Sequence, residues 1–272
     1  MRTLLFAALV ASLLAVAAPA RADESAWTLL KKGIDAYQRK DLRAAQAYLE
    51  ASVRMDPACE DSYFYLGTIA EAAGDPRTAL VHYGKVGEKA PTYSLGRARL
   101  GHIAYAAGDK KTAAVHFAAS AEARPSADAW MQLATTQIDL KAYPEAETSL
   151  QKADEFTKDN PVLAEMWGRL FLETSRFAKA LERYAALSKQ FPRDAALRFM
   201  KGACLGELKR TPEAVAEYEA VLSMDPFHEH AIRRLLRAWA DDSAKAAQCA
   251  QLEERLVAIR KNPPKVRPVS GS

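Results

Sequence analysis

Few residues in this 272-residue chain have the types and spacing that could do chemistry. His228-Glu229-His230 is the most suggestive group, because two imidazoles two residues apart can approach one ion when the backbone is extended. A usable metal site wants about four ligands, so this group alone would not suffice. The plainer expectation is a connecting loop entering a helix, with Glu229 favourable near the helix N-terminus. His82 and His116 are 34 residues apart, which suggests one repeated surface environment rather than a paired site. Cys59, Cys204 and Cys249 have no CxxC spacing. At most one disulfide can form among three thiols, so no disulfide framework defines the fold. Cys204 reads as a buried free thiol, with a Cys204–Cys249 bridge as the alternative. There is no phosphate-cradling glycine loop, no GxSxG elbow and no HExxH. The expectation is therefore a non-enzymatic chain with no catalytic residues, no metal site and no cofactor.

The elements that must position any site are read from a period. Leu66-Gly67, Ala70, Gly74-Asp75-Pro76, Ala79, Tyr83, Val86 and Pro91 are followed at the same offsets by Leu100-Gly101, Ala104, Gly108-Asp109, Ala113, Phe117, Ser120 and Pro125. Self-similarity at 34 residues is the mark of stacked helix-turn-helix units. Gly67 and Ala79 fall where two helices of one unit cross, since a larger side chain would push the axes apart. Tyr83 then fills the gap toward the next unit. Asp75-Pro76 is a helix start: Asp accepts a first-turn N–H, and Pro lacks the donor that would go unpaired. Pro91 is expected to stop the second helix.

The pattern gives six units, at about 26–59, 60–93, 94–126, 127–160, 161–194 and 195–228, within a repeat region spanning 23–226. Ala45, Ala79, Ala113, Ala146, Ala180 and Ala214 form its alanine column, which slips by one residue once. Lys32 stands where later units carry Leu66 and Leu100, as suits a terminal repeat with a wet outer side. The fourth unit reads as carrying a short insertion before Asn160-Pro161, which either alters the stacking or lengthens a helix. Beyond Pro226, residues 229–261 form a helical pair. Its second member places Cys249, Leu252, Leu256 and Ile259 in one stripe, as a capping helix does. Residues 262–272 form a flexible tail.

Residues 1–22 read as a cleavable signal peptide: Arg2, an apolar run over 4–18, then Ala20-Arg21-Ala22 ahead of a cut before Asp23. The expected location is the bacterial periplasm or the secreted fraction, with no stable membrane insertion after cleavage. The net charge of +4 falls to +2 without Arg2 and Arg21. That near balance argues against nucleic acid as a partner.

In sum these units resemble the tetratricopeptide repeat, over about residues 26–226. The resemblance implies an all-α, right-handed superhelical solenoid closed by C-terminal capping helices, with a concave face lined by the first helix of each repeat. Carried over position by position, the lining includes Tyr37, Phe64, Tyr65, His102, Tyr105, Met131, Gln132, Arg169 and Phe199. An aromatic and Met-containing groove suits a partner's helix or apolar peptide. The Lys, Arg and Asn set of carboxylate-clamping relatives is missing, because Asn160 and Asn262 lie outside the first helices. Arg233, Arg234 and Arg237 make a basic end patch, read either as a solvated cap or as a contact for an acidic partner. The expected function is an adaptor or scaffold for another envelope or secreted protein, with self-association possible. The alternative is a periplasmic ligand-binding or accessory subunit recognising a cell-wall fragment or other small molecule.

Overall fold

The computed structural model describes residues 25–157 and 160–261. The proposed signal peptide and the tail at 262–272 lie outside the described residues. Among these, all regular structure is helical: α1 Ala26–Gln38, α2 Leu42–Met55, α3 Glu60–Ala72, α4 Pro76–Gly84, α5 Tyr93–Ala106, α6 Lys110–Ala123, α7 Ala127–Asp139, α8 Tyr143–Asp154, α9 Pro161–Glu173, α10 Phe177–Gln190, α11 Ala195–Glu207, α12 Thr211–Met224, α13 Glu229–Ala238 and α14 Ala246–Lys261, with a 3₁₀ turn at Ser243–Lys245. The chain divides into two compact units, residues 1–141 and 142–272, so that α1–α7 belong to the first and α8–α14 to the second.

Local sequence sets the helix boundaries. The side chains of Ser25, Asp41, Asp75, Asp109, Ser126, Asn160 and Asp194 each accept a first-turn backbone N–H. Each satisfies a donor that the helix itself leaves orphaned. The hairpin inside every repeat closes through one left-handed residue: Lys40, Gly74, Gly108, Lys141, Ser175 and Lys209. Only two of these are the glycines that such a backbone favours.

Packing explains the repeated small residues. In the alanine column, Ala45, Ala79, Ala113, Ala146 and Ala180 have no exposed surface. A Cβ built on Gly67 would stand 2.6 Å from the Tyr83 ring, on Gly101 2.7 Å from Phe117, and on Gly168 2.8 Å from Tyr184. The glycine therefore makes room for the aromatic sixteen residues later in its own repeat. Tyr83 thus fills the hairpin of its own unit first, and only through the same cluster reaches Tyr93 and Leu100 on α5.

Two expectations need correction. Pro91 does not stop the second helix of repeat two: α4 ends at Gly84, and Val86 is buried in the following turn rather than on a helix. Gly84 and Gly87 weaken the helix here. The loop instead folds back onto α3, where Thr92 donates from its backbone N and Oγ1 to Asp61 at 3.1 and 2.6 Å. Nor does repeat four carry an insertion. α9 begins at Pro161, 34 residues after α7 begins at Ala127, and α8 ends at Asp154 without lengthening. Asn160-Pro161 is a helix start of the Asp75-Pro76 kind.

In the second unit, Leu252 and Ile259 on α14 join Ile232 and Leu235 on α13 and Trp239 just beyond it in one buried cluster, with Cys249 and Leu256 partly buried against it. All three cysteines are free thiols, and burial pushes Cys204 up to about 11.

Candidate partner-binding site

The lining residues expected from the sequence fall in both units. In the first, α1 and α3 bring Tyr37 and Tyr65 edge to face, with ring centroids 5.7 Å apart. Both rings are half-buried, and neither hydroxyl has a hydrogen-bond partner among the described residues. Burial first, then the charge of Asp61 and the neighbouring Tyr37, raises the Tyr65 phenol above its ordinary pKa. It stays a neutral donor near neutral pH. Two such phenols on apolar bodies can bond a polar backbone while stacking on a side chain.

The other lining positions do different work. Phe64 is buried in the core against Tyr83, at a centroid distance of 5.9 Å. The Tyr105 hydroxyl is bonded to Asp139, 34 residues on, and Lys110 reaches the same carboxylate at 3.4 Å. Tyr105 therefore ties α5 to α7 rather than presenting its hydroxyl. His102 is an exposed residue whose ring lies 5.0 Å from Phe117. Met131 and Gln132 are half-buried on α7. Sequence reasoning missed Trp27, 56% exposed on the first turn of α1. Its place is that of Asp61 one period earlier, and no shared residue type at that place marks it.

In the second unit, Arg169 is exposed on α9, with its own partner. Phe199 packs between Tyr218 and the rings of His228 and His230, at 5.8, 5.0 and 6.0 Å. His228 Nδ1 accepts from Ala231 N, capping α13, and Glu229 accepts from Arg233. The His-Glu-His segment is a helix start, and among the described residues no group of three or more His, Cys, Asp or Glu is placed to hold a metal ion. The basic patch is partly neutralised. Arg233 pairs with Glu229 at 2.6 Å and Arg234 with Glu207 at 3.3 Å, while Arg237 is exposed beside them.

His82 and His116 do share an environment. Nδ1 of each is buried without a hydrogen-bond partner among the described residues. Burial, then Lys85 for His82 and Arg97 for His116, lowers both pKa values below 6.5, with Glu50 partly opposing at His82. A folded pKa below the unfolded one gives stability that is present above pH 6.5 and lost as pH falls from there through the folded values. We expect the thermal midpoint to fall from pH 7.5 to 5.5, and His82→Phe with His116→Phe to flatten that fall. A slope unchanged in the double variant would assign the acid sensitivity to other groups.

The tetratricopeptide repeat family profile matches residues 30–92, 98–161 and 165–229, most of the chain. This chain belongs to the tetratricopeptide repeat family. Each match spans two of the hairpins described above. Among solved structures, the chain is similar to YrrB, a TPR protein described as having an unusual peptide-binding site, at 18% identity and TM-score 0.62, covering 68% of this chain and 96% of that one. It is similar to a tetratricopeptide repeat protein from Parabacteroides merdae at 17% identity and TM-score 0.56, covering 85% and 97%. Likeness to MamA is at 19% identity and TM-score 0.56, covering 61% and 92%. These likenesses concern the fold. No curated protein matches the chain. Among the described residues no helix is long and apolar enough to cross a membrane.

Proposed function

We propose that this tetratricopeptide repeat protein is a non-enzymatic adaptor of the bacterial periplasm or envelope that holds a peptide or helix of another protein against the first helices of its amino-terminal unit. The observation that carries the reading is the Tyr37–Tyr65 pair: two half-buried aromatic rings on successive first helices, with hydroxyls uncommitted to the fold. Interfaces draw most of their energy from such aromatic anchors. The peptide-binding site described for YrrB, on a similar fold, supports the class of partner. The apolar run over 4–18 and the small residues before Asp23 support the location.

The test is crosslinking and pull-down from an intact cell envelope, with the full chain as bait beside Tyr37→Ala, Tyr65→Ala. Tyr105 is left intact because it is bonded into the fold. A specific partner is expected to be captured by the native chain and reduced at least tenfold with the variant, whose melting curve stays cooperative. Equal capture by both baits would remove the aromatic pair from the interface and this reading with it.

A further inference from the structure

The amino-terminal end of the aromatic groove carries charge mainly of one sign. Trp27 forms one wall of a cleft of about 310 Å³ whose other walls include Asp56, Glu60, Asp61 and Lys89. Three carboxylates thus face one ammonium. Asp61 links this cleft to the groove, since it lies one helical turn before Tyr65 on α3, and the Tyr65 ring stands edge to face with Tyr37. The carboxylates keep acceptor capacity: Asp61 uses Oδ1 for Thr92, Asp56 uses Oδ1 for Ala58 N, and the Glu60 carboxylate has no hydrogen-bond or ion-pair partner among the described residues. The half-exposed indole already attracts a cation, with Lys31 Nζ 5.9 Å from its centre.

We propose that this end of the groove receives a basic segment of the partner, with a lysine or arginine side chain held between Asp56, Glu60, Asp61 and the Trp27 ring and the adjoining apolar residue resting on Tyr37 and Tyr65. The inference rests on the adaptor reading and names its partner's chemistry. Charge complementarity carries it. Carboxylates recognise ammonium and guanidinium groups, and an indole face adds attraction for the same groups and none for an anion. The chain as a whole has a net charge of +4, so bulk attraction favours an acidic ligand and any preference for a basic one has to come from this local cluster.

The experiment uses the full chain and two fluorescein-labelled dodecapeptides with identical Leu and Phe positions, one with lysine and arginine at its polar positions, the other with glutamate. Anisotropy is expected to show the basic peptide binding at least about tenfold more tightly, a difference of about 1.4 kcal/mol. Added salt should weaken that binding, and Trp27 emission should change on titration, a response lost in Trp27→Phe. Asp56→Asn with Glu60→Gln should reduce affinity about tenfold. Lys89→Glu, on an exposed residue, should increase it severalfold. Equal affinities for the two peptides, no binding of either, or indifference to all of these charge changes would overturn the proposal. If the charge preference fails while Tyr37→Ala, Tyr65→Ala still abolishes partner capture, the groove reading stands alone. If the basic peptide binds as described while capture is unaffected, the cationic site stands and the adaptor reading falls.

Discussion

Gly67→Leu is expected to destabilise the protein by about 3 kcal/mol, the upper part of the range for overpacking, while Gly84→Ala in the same repeat is neutral or slightly stabilising. The two glycines lie on the two helices of one hairpin and differ in what stands opposite. At Gly67 even a methyl group would be 2.6 Å from Cε1 and 2.7 Å from Cδ1 of Tyr83. That ring cannot retreat. It is 1% exposed, packs on Phe64, and its hydroxyl donates to Glu71 Oε2 at 2.7 Å. A leucine must therefore separate α3 from α4 and open space around a cluster that continues to Tyr93 and Leu100. At Gly84 nothing lies within 4 Å and the backbone is not left-handed, so alanine only restricts the unfolded chain, a gain of about 0.4–1 kcal/mol. Denaturant titrations of the two variants would measure the difference. A Gly67→Leu midpoint close to native would show that Tyr83 can move, and would remove the ring-on-glycine contact as the reason for the period.

The same contact shows what the sequence made legible. Periodicity identified six hairpins, the alanine column and the cap at Asp75, because each depends on residue type at a fixed offset. It could not rank causes that share an offset. Tyr83 lies at helical spacing from Ala79 and sixteen residues from Gly67, and only coordinates show which gap its ring enters first. Pro91 looked like a helix stop because proline cannot continue a helix. Yet α4 had already ended at Gly84, in a loop whose fixing contact, Asp61 to Thr92, spans 31 residues. The groove was legible as positions, not as commitments. Tyr37 and Tyr105 look equivalent in the pattern, but the second is bonded to Asp139 and pairs with a side chain no local rule connects to it. Trp27 was passed over because its repeat-mates at that place, Asp61 and Leu95, share no chemistry with it.

Trp167→Ala should cost the second unit about 4 kcal/mol, within the 3–5 kcal/mol usual for deleting a buried aromatic. Trp167 is 5% exposed on α9, tilted over Phe171 with centroids 5.2 Å apart, and its Nε1 donates to Asp154 Oδ2 at 2.8 Å. That bond joins the last residue of α8 to α9 across the connection after Asp154. Trp167→Phe separates the two contributions. It keeps most of the apolar contact but removes the donor, and since Asp154 is exposed and regains water, the loss should stay near 1 to 2 kcal/mol. Asp154→Ala leaves the indole N–H without its acceptor and should cost a similar amount. Combining it with Trp167→Phe should then cost less than the sum, by the coupling energy of the bond. Chemical denaturation of the four proteins yields that cycle. Strict additivity would mean that the indole stabilises α9 by packing alone and that the α8–α9 junction is fixed by its apolar surface.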